Sequence, residues 1–171
     1  MMLQVMFEHA SSFLMSAELC AEETERQKKH FDLLGTPEIV NLAFACEVYI
    51  KTLLEFYRIK SKKNHKLNEL FAQLPDDVQQ EVKQQSFQKH PEYNRLTGKI
   101  LTNSFGMDLL DLEANAFADW RYVYEAKRGC VSCDVGFLRA FAVTLRDFCC
   151  ERLFRMNWEE YCKTYEINLD L

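Results

Sequence analysis

The chain has 171 residues, 48% of them hydrophobic and 13% aromatic, and a formal net charge of -5. A chain of this length buries roughly 70% of its unfolded surface in one core, so neither a disordered segment nor a disulfide-held miniprotein fits, and the acidic balance excludes coating nucleic acid by overall charge. With only five Gly and three Pro, long stretches lack backbone breakers, which predicts helices in a single domain over residues 1–171.

The first segment repeats Met6, Ala10, Phe13, Leu14, Ala17 and Cys20 at helical spacing, then runs through charged residues to a helix end at Gly35. Thr36-Pro37-Glu38 supplies an N-cap hydroxyl, a first-turn proline and an early carboxylate, which predicts the start of a second helix running to about Arg58. Its Ile39–Tyr57 stretch reads as buried on nearly all sides, and Glu47, Lys51 and Glu55 form one narrow polar strip along it. A basic loop follows, with Arg58, Lys60, Lys62, Lys63 and Lys66. Leu67, Leu70, Phe71 and Leu74 then define a short helix stopped by Pro75. Asp76 and Asp77 open a fourth, surface helix to about His90, with Val78, Val82 and Phe87 as its apolar residues.

Residues 91–106 read as a connector of weak periodicity. The fifth segment places Leu109, Leu112, Ala116, Phe117, Trp120, Val123 and Tyr124 on one face, predicting a second core helix that ends near the loop 126–132. Val135, Leu138, Phe141, Ala142, Leu145, Phe148, Cys149 and Leu153 form a continuous stripe, and Asn157-Trp158-Glu159-Glu160 signals the cap of a short terminal helix. The expected fold is all-α: an antiparallel up-down bundle of four long helices with short extra helices.

Seven cysteines, an odd number without framework spacing, fall largely on apolar faces and predict a reduced, cytoplasmic protein. The N-terminal stretch has no Lys or Arg before Arg26 and carries Glu8 and Glu18, so it reads as mature protein rather than a signal. The polar residues inside Ile39–Tyr57 keep it from reading as a membrane span. Cys130-Val-Ser-Cys133 has the gap of a zinc knuckle or redox pair. Adjacent Cys149 and Cys150 diverge by about 100° on a helix and make poor companion ligands, so packing is the expectation and no metal or cofactor is called.

The order of three strings carries a family resemblance: Asn41-Leu-Ala-Phe-Ala-Cys-Glu-Val-Tyr-Ile-Lys-Thr-Leu-Leu, then His65-Lys-Leu-Asn-Glu-Leu-Phe, then Phe117-Ala-Asp-Trp-Arg-Tyr-Val-Tyr-Glu. Together they resemble the HEPN family, the higher eukaryotes and prokaryotes nucleotide-binding domains. The resemblance covers residues 5–155 and rests on Glu47 with Lys51, on His65, and on Arg121 with Tyr122. It implies a helical bundle that often dimerises and occurs in toxin-antitoxin or defence systems. The family's active branch cleaves RNA without metal, using an Arg followed after four to six residues by His. Here no histidine follows His90, and Arg58 with His65, the one formal match, lies after the second helix. The resemblance therefore implies a homodimeric binding domain that contacts nucleotide or RNA or a partner protein, with a variant RNA-cleaving enzyme as the alternative.

Candidate residues follow from chemistry. The Glu47, Lys51 and Glu55 strip is either a pocket edge or an ion-pair lattice reaching Arg121, since buried charges need partners. His65 is either a proton shuttle or a cap of the short helix. Arg121, Tyr122, Glu125 and His65 are the candidates for a variant catalytic set. Arg121, Lys127 and Arg128 are the candidates for anion binding near the start of the last long helix. Trp120, Tyr122 and Tyr124 are expected in the core or at a dimer interface rather than as stacking platforms.

Overall fold

The computed structural model describes residues 2–27, 34–61, 64–90, 115–122 and 133–167, and among these every regular element is helical. Helix α1 spans Met2–Gln27, α2 Gly35–Phe56, α3 Leu67–Phe71, α4 Asp76–Lys89, α5 Ala116–Arg121, α6 Val135–Cys149 and α7 Trp158–Thr164. Among the described residues no helix is long and apolar enough to cross a membrane.

Helix α2 is the centre of the molecule. Leu42, Ala43, Cys46, Tyr49, Ile50, Leu53 and Leu54 are all fully buried on it, so successive turns face different neighbours rather than one. Helix α1 covers one side through Phe7, Ala10, Leu14 and Ala17, an i, i+3, i+7 stripe. The Tyr49 hydroxyl and Ser11 Oγ share a hydrogen bond of 2.9 Å across that seam. Helix α6 covers another side through Leu138, Ala142, Leu145 and Cys149, all buried. Fully burying one such aliphatic side chain is worth about 1.5–3 kcal/mol, so these two seams hold most of the core.

The ends of α2 depart from the expected caps. The helix begins at Gly35, with Leu34 at the cap position and no side-chain cap bond, so Thr36 lies inside it and Gly35 opens α2 rather than closing α1. The last described residue of α1 is Gln27, and residues 28–33 lie outside the described set. At the other end the Arg58 N-H donates to the Glu55 carbonyl at 3.0 Å and the Ile59 N-H to the Leu54 carbonyl at 2.8 Å. Arg58 sits in the left-handed region at φ 58°. This is a Schellman closure built on a non-glycine residue, and it turns the chain toward the segment that carries His65.

Helix α3 and the following turn bury Leu67, Leu70, Phe71 and Leu74. Pro75 occupies the cap of α4, whose Val78 and Val82 are buried while its polar side meets α6 through Lys89–Asp147 at 2.8 Å. The Phe87 side chain and the connector 91–106 are outside the described set.

The fifth segment is described only in part. Its described part is a six-residue helix capped by Tyr122, in which Ala116 alone is buried while Phe117 and Trp120 are half-buried against the core. This described part lies at the edge of the core, with Phe117 reaching Phe44 of α2 and His65. Leu109, Leu112, Val123 and Tyr124 fall outside the described residues. Helix α6 is capped by Asp134, whose carboxylate accepts the Phe137 N-H at 2.9 Å. The stripe expected to continue unbroken to Leu153 instead passes through a π-helical turn at Cys150–Phe154, and Arg155 at φ 61° ends it. Asn157 and Glu160 then form the expected capping box of α7.

Candidate functional site

Helix α2 carries one polar edge beside its buried faces. Phe44, Glu47 and Lys51 lie at i, i+3 and i+7 on that edge. Glu47 is 2% exposed, so its carboxylate needs partners. Lys51 Nζ reaches Oε1 at 2.6 Å from one turn along, and His65 Nδ1 lies 3.0 Å from both oxygens. A carboxylate only accepts, so the ring donates from Nδ1 and Nε2 is left as its outward nitrogen. The His65 side chain is 62% exposed, so a buried anion orients an imidazole that faces water.

Phe117 of α5 closes the arrangement. Its ring stacks on Phe44 at 5.3 Å between centroids and lies 5.6 Å from His65 at 32°. The Arg121 guanidinium, one helical turn on, sits 5.6 Å from the Phe117 ring and 5.3 Å from Tyr122. Both Arg121 and Tyr122 are exposed. Beyond Phe44 the rings continue through Phe13 at 4.6 Å to exposed His9, 5.0 Å further. The result is a row of half-buried rings with an oriented imidazole and an exposed guanidinium at one end.

Two expectations change here. The charged lattice on α2 closes on His65, and Arg121 lies over Phe117 and Tyr122 rather than on Glu47. His65 does not cap the short helix, because Lys66 holds that position without a side-chain cap bond. Glu55, the third member of the strip, is exposed. Glu125, Lys127 and Arg128 lie outside the described residues, as do Lys62 and Lys63 of the basic loop. Arg58 and Lys60 are exposed, and Lys66 pairs with Glu69 at 2.9 Å.

The residues that sequence reasoning missed are Phe44 and Phe117 as platforms. Phe44 carried a readable signal, its place on the Glu47–Lys51 edge of an otherwise core helix. Trp120 and Tyr122 drew attention instead because of residue type alone.

The cysteines supply no chemistry to this site. Cys46, Cys149, Cys150 and Cys162 are buried free thiols. Burial pushes Cys150 up to about 12 and raises Cys46, Cys149 and Cys162 above their ordinary value, which leaves them protonated and unreactive. Cys130, half of the spaced pair, is outside the described residues, and Cys133 is half-buried. Among the described residues no group of three or more His, Cys, Asp or Glu side chains gathers to hold a metal ion. A polar cleft of about 380 Å³ beside Phe56 and Tyr57 is crossed by the Arg152–Glu81 ion pair, which ties α4 to the π-helical turn after α6.

No family model, no curated protein and no solved structure matches the chain.

Proposed function

We propose that the chain is a HEPN-like helical domain that binds nucleotide or single-stranded RNA on the surface formed by His65, Phe117 and Arg121. In this reading α1, α2, α4 and α6 are the four rods of an antiparallel bundle. The protein acts as a cytoplasmic homodimer in a defence or toxin-antitoxin setting. One observation carries the reading: an exposed imidazole, fixed from behind by buried Glu47, shares the Phe117 ring with an exposed guanidinium. Phosphate accepts hydrogen bonds from the guanidinium and, when the ring carries both its protons, from His65 Nε2, and unpaired bases stack on exposed aromatic and guanidinium planes. The net acidity of the chain makes this local binding rather than a broad electrostatic footprint.

Fluorescence anisotropy with labelled single-stranded RNA, competed by ATP, tests it. Saturable binding that weakens about tenfold in Arg121→Ala and flattens its salt dependence by about one phosphate contact supports the reading. Absence of saturable binding at about 100 µM protein, or binding indifferent to both Arg121→Ala and His65→Ala, overturns it.

The Glu47–His65 pair also favours a second reading, metal-independent RNA cleavage. A carboxylate that holds Nδ1 leaves Nε2 as a general base, with Arg121 to meet developing phosphate charge. Incubation with labelled transfer and messenger RNA beside the His65→Ala variant decides it. Identical fragment patterns from the two proteins would remove the enzyme from consideration.

A further inference from the structure

A separate pocket of about 410 Å³ lies between α1 and the C-terminal segment. Glu8, Ser12 and Met15, on one face of α1, form one wall, and Trp158, Tyr165 and Ile167 form the other. Among the described lining residues Glu8 is the one that carries charge. Its Oε1 accepts from the Tyr161 hydroxyl at 3.0 Å and from Gln4 Nε2 at 3.0 Å. Both donors are neutral, so they orient the carboxylate without cancelling it. Burial, then the nearby Glu8 charge, raises the Tyr161 phenol above its ordinary value, which keeps it protonated and donating.

The surroundings of that anion are aromatic. Tyr165 is 42% exposed and its ring centroid lies 4.5 Å from that of Tyr161, which in turn stacks on Trp158 at 5.9 Å and 11°. Indole and phenol faces attract cations, and this wall already holds one, since the Arg146 guanidinium lies 4.8 Å from the Trp158 centroid. An anion is repelled by Glu8. A neutral apolar guest strips water from the carboxylate and returns nothing. A hard metal ion asks for several oxygen ligands, and one carboxylate among rings does not supply them.

We propose that this pocket binds a small organic monocation, a primary ammonium on an aryl or alkyl body, with the ammonium on Glu8 Oε2 and the hydrocarbon between Met15 and the Tyr165 ring. The volume falls in the range of ordinary small-molecule sites.

Isothermal titration of the full chain with 2-phenylethylammonium and with its neutral near-isostere 2-phenylethanol tests the assignment. The expected result is at least about tenfold tighter binding of the cation. Glu8→Gln keeps an acceptor for Tyr161 and is expected to erase that preference, while Tyr165→Ala weakens the cation severalfold. Equal affinity for cation and alcohol, a preference that survives Glu8→Gln, or no heat at about 10 mM cation overturns the proposal. The wild-type comparison decides alone if either variant loses its thermal transition. RNA binding at Arg121 is measured on the same samples, so failure of one site is read independently of the other.

Discussion

Helix α2 buries two carboxylates, Glu38 near its start and Glu47 in its middle, and they are satisfied in opposite ways. Glu38 pairs with Arg139 of α6, so its charge is spent joining two core helices. Glu47 pairs with Lys51 of its own helix and with His65, which stays in water. A buried charge answered by an arginine of a second core helix is architecture. One answered by an exposed, titratable ring makes that ring a defined tool at the surface, because the cost of burying the anion is recovered only while the ring keeps its orientation.

The sharpest way to break the comparison is to delete each carboxylate. Glu47→Ala leaves Lys51 and His65 without their anion and is expected to cost about 3 kcal/mol in urea unfolding and to abolish RNA binding together. Glu47→Gln keeps the shape and recovers part of the stability but not the binding. Glu38→Ala leaves the Arg139 head group, 40% exposed on its side chain, able to reach solvent. Its expected cost is smaller, about 1–2 kcal/mol, with RNA affinity unchanged. Equal losses of binding in the two alanine variants would mean that both carboxylates act through the fold alone.

The sequence showed one half of this contrast and hid the other. The helices were legible because eight Gly and Pro residues punctuate strong apolar periodicity, and the burial of Ile39–Tyr57 followed from apolar residues on every side. Glu47 and Lys51 were visible as a polar edge on that rod. Their partner was not. His65 lies 18 residues from Glu47, beyond the Schellman turn at Arg58, and a left-handed arginine has no signature in composition. Of the fifth segment's stripe only Ala116, Phe117 and Trp120 are described, one buried and two half-buried, because an apolar stripe shows that a face is covered, not how much of it. Glu38, read as a first-turn dipole partner, was taken over by an arginine far along the chain, a contact no local rule contains.

Smaller perturbations separate the ring from its orienting anion. His65→Ala leaves Glu47 with Lys51 and is expected to lower stability by about 1 kcal/mol while weakening RNA binding at least fivefold. Arg121→Ala, at an exposed position over Phe117, is expected to move stability by no more than about 0.5 kcal/mol and RNA affinity by about tenfold. Thermal melts beside anisotropy titrations check both. A large stability loss in Arg121→Ala with intact binding would reverse the assignment and make that arginine architectural.

The smallest effect concerns a third carboxylate, Glu18 of α1, which sharpens the architectural side of the contrast. Burial raises its pKa above the ordinary 4.5, while Arg146 and Arg139 pull it back down and Glu22 pushes it up. Between the unfolded and folded values the folded chain therefore holds a proton that the unfolded chain has already released. Stability falls as pH climbs from the unfolded value through the folded one, and the deficit is complete above both. Glu18→Gln removes that deficit, so its melting temperature at pH 7 is expected to exceed wild type by about 1–2 °C, with the gap closing once pH drops below the ordinary 4.5. A variant that melts lower than wild type at pH 7 would show that Glu18 is held by Arg139 and Arg146 more strongly than burial opposes it. Arg139 would then serve two carboxylates at once, and the cost of Glu38→Ala would shrink, since the arginine it strands would already have a second anion.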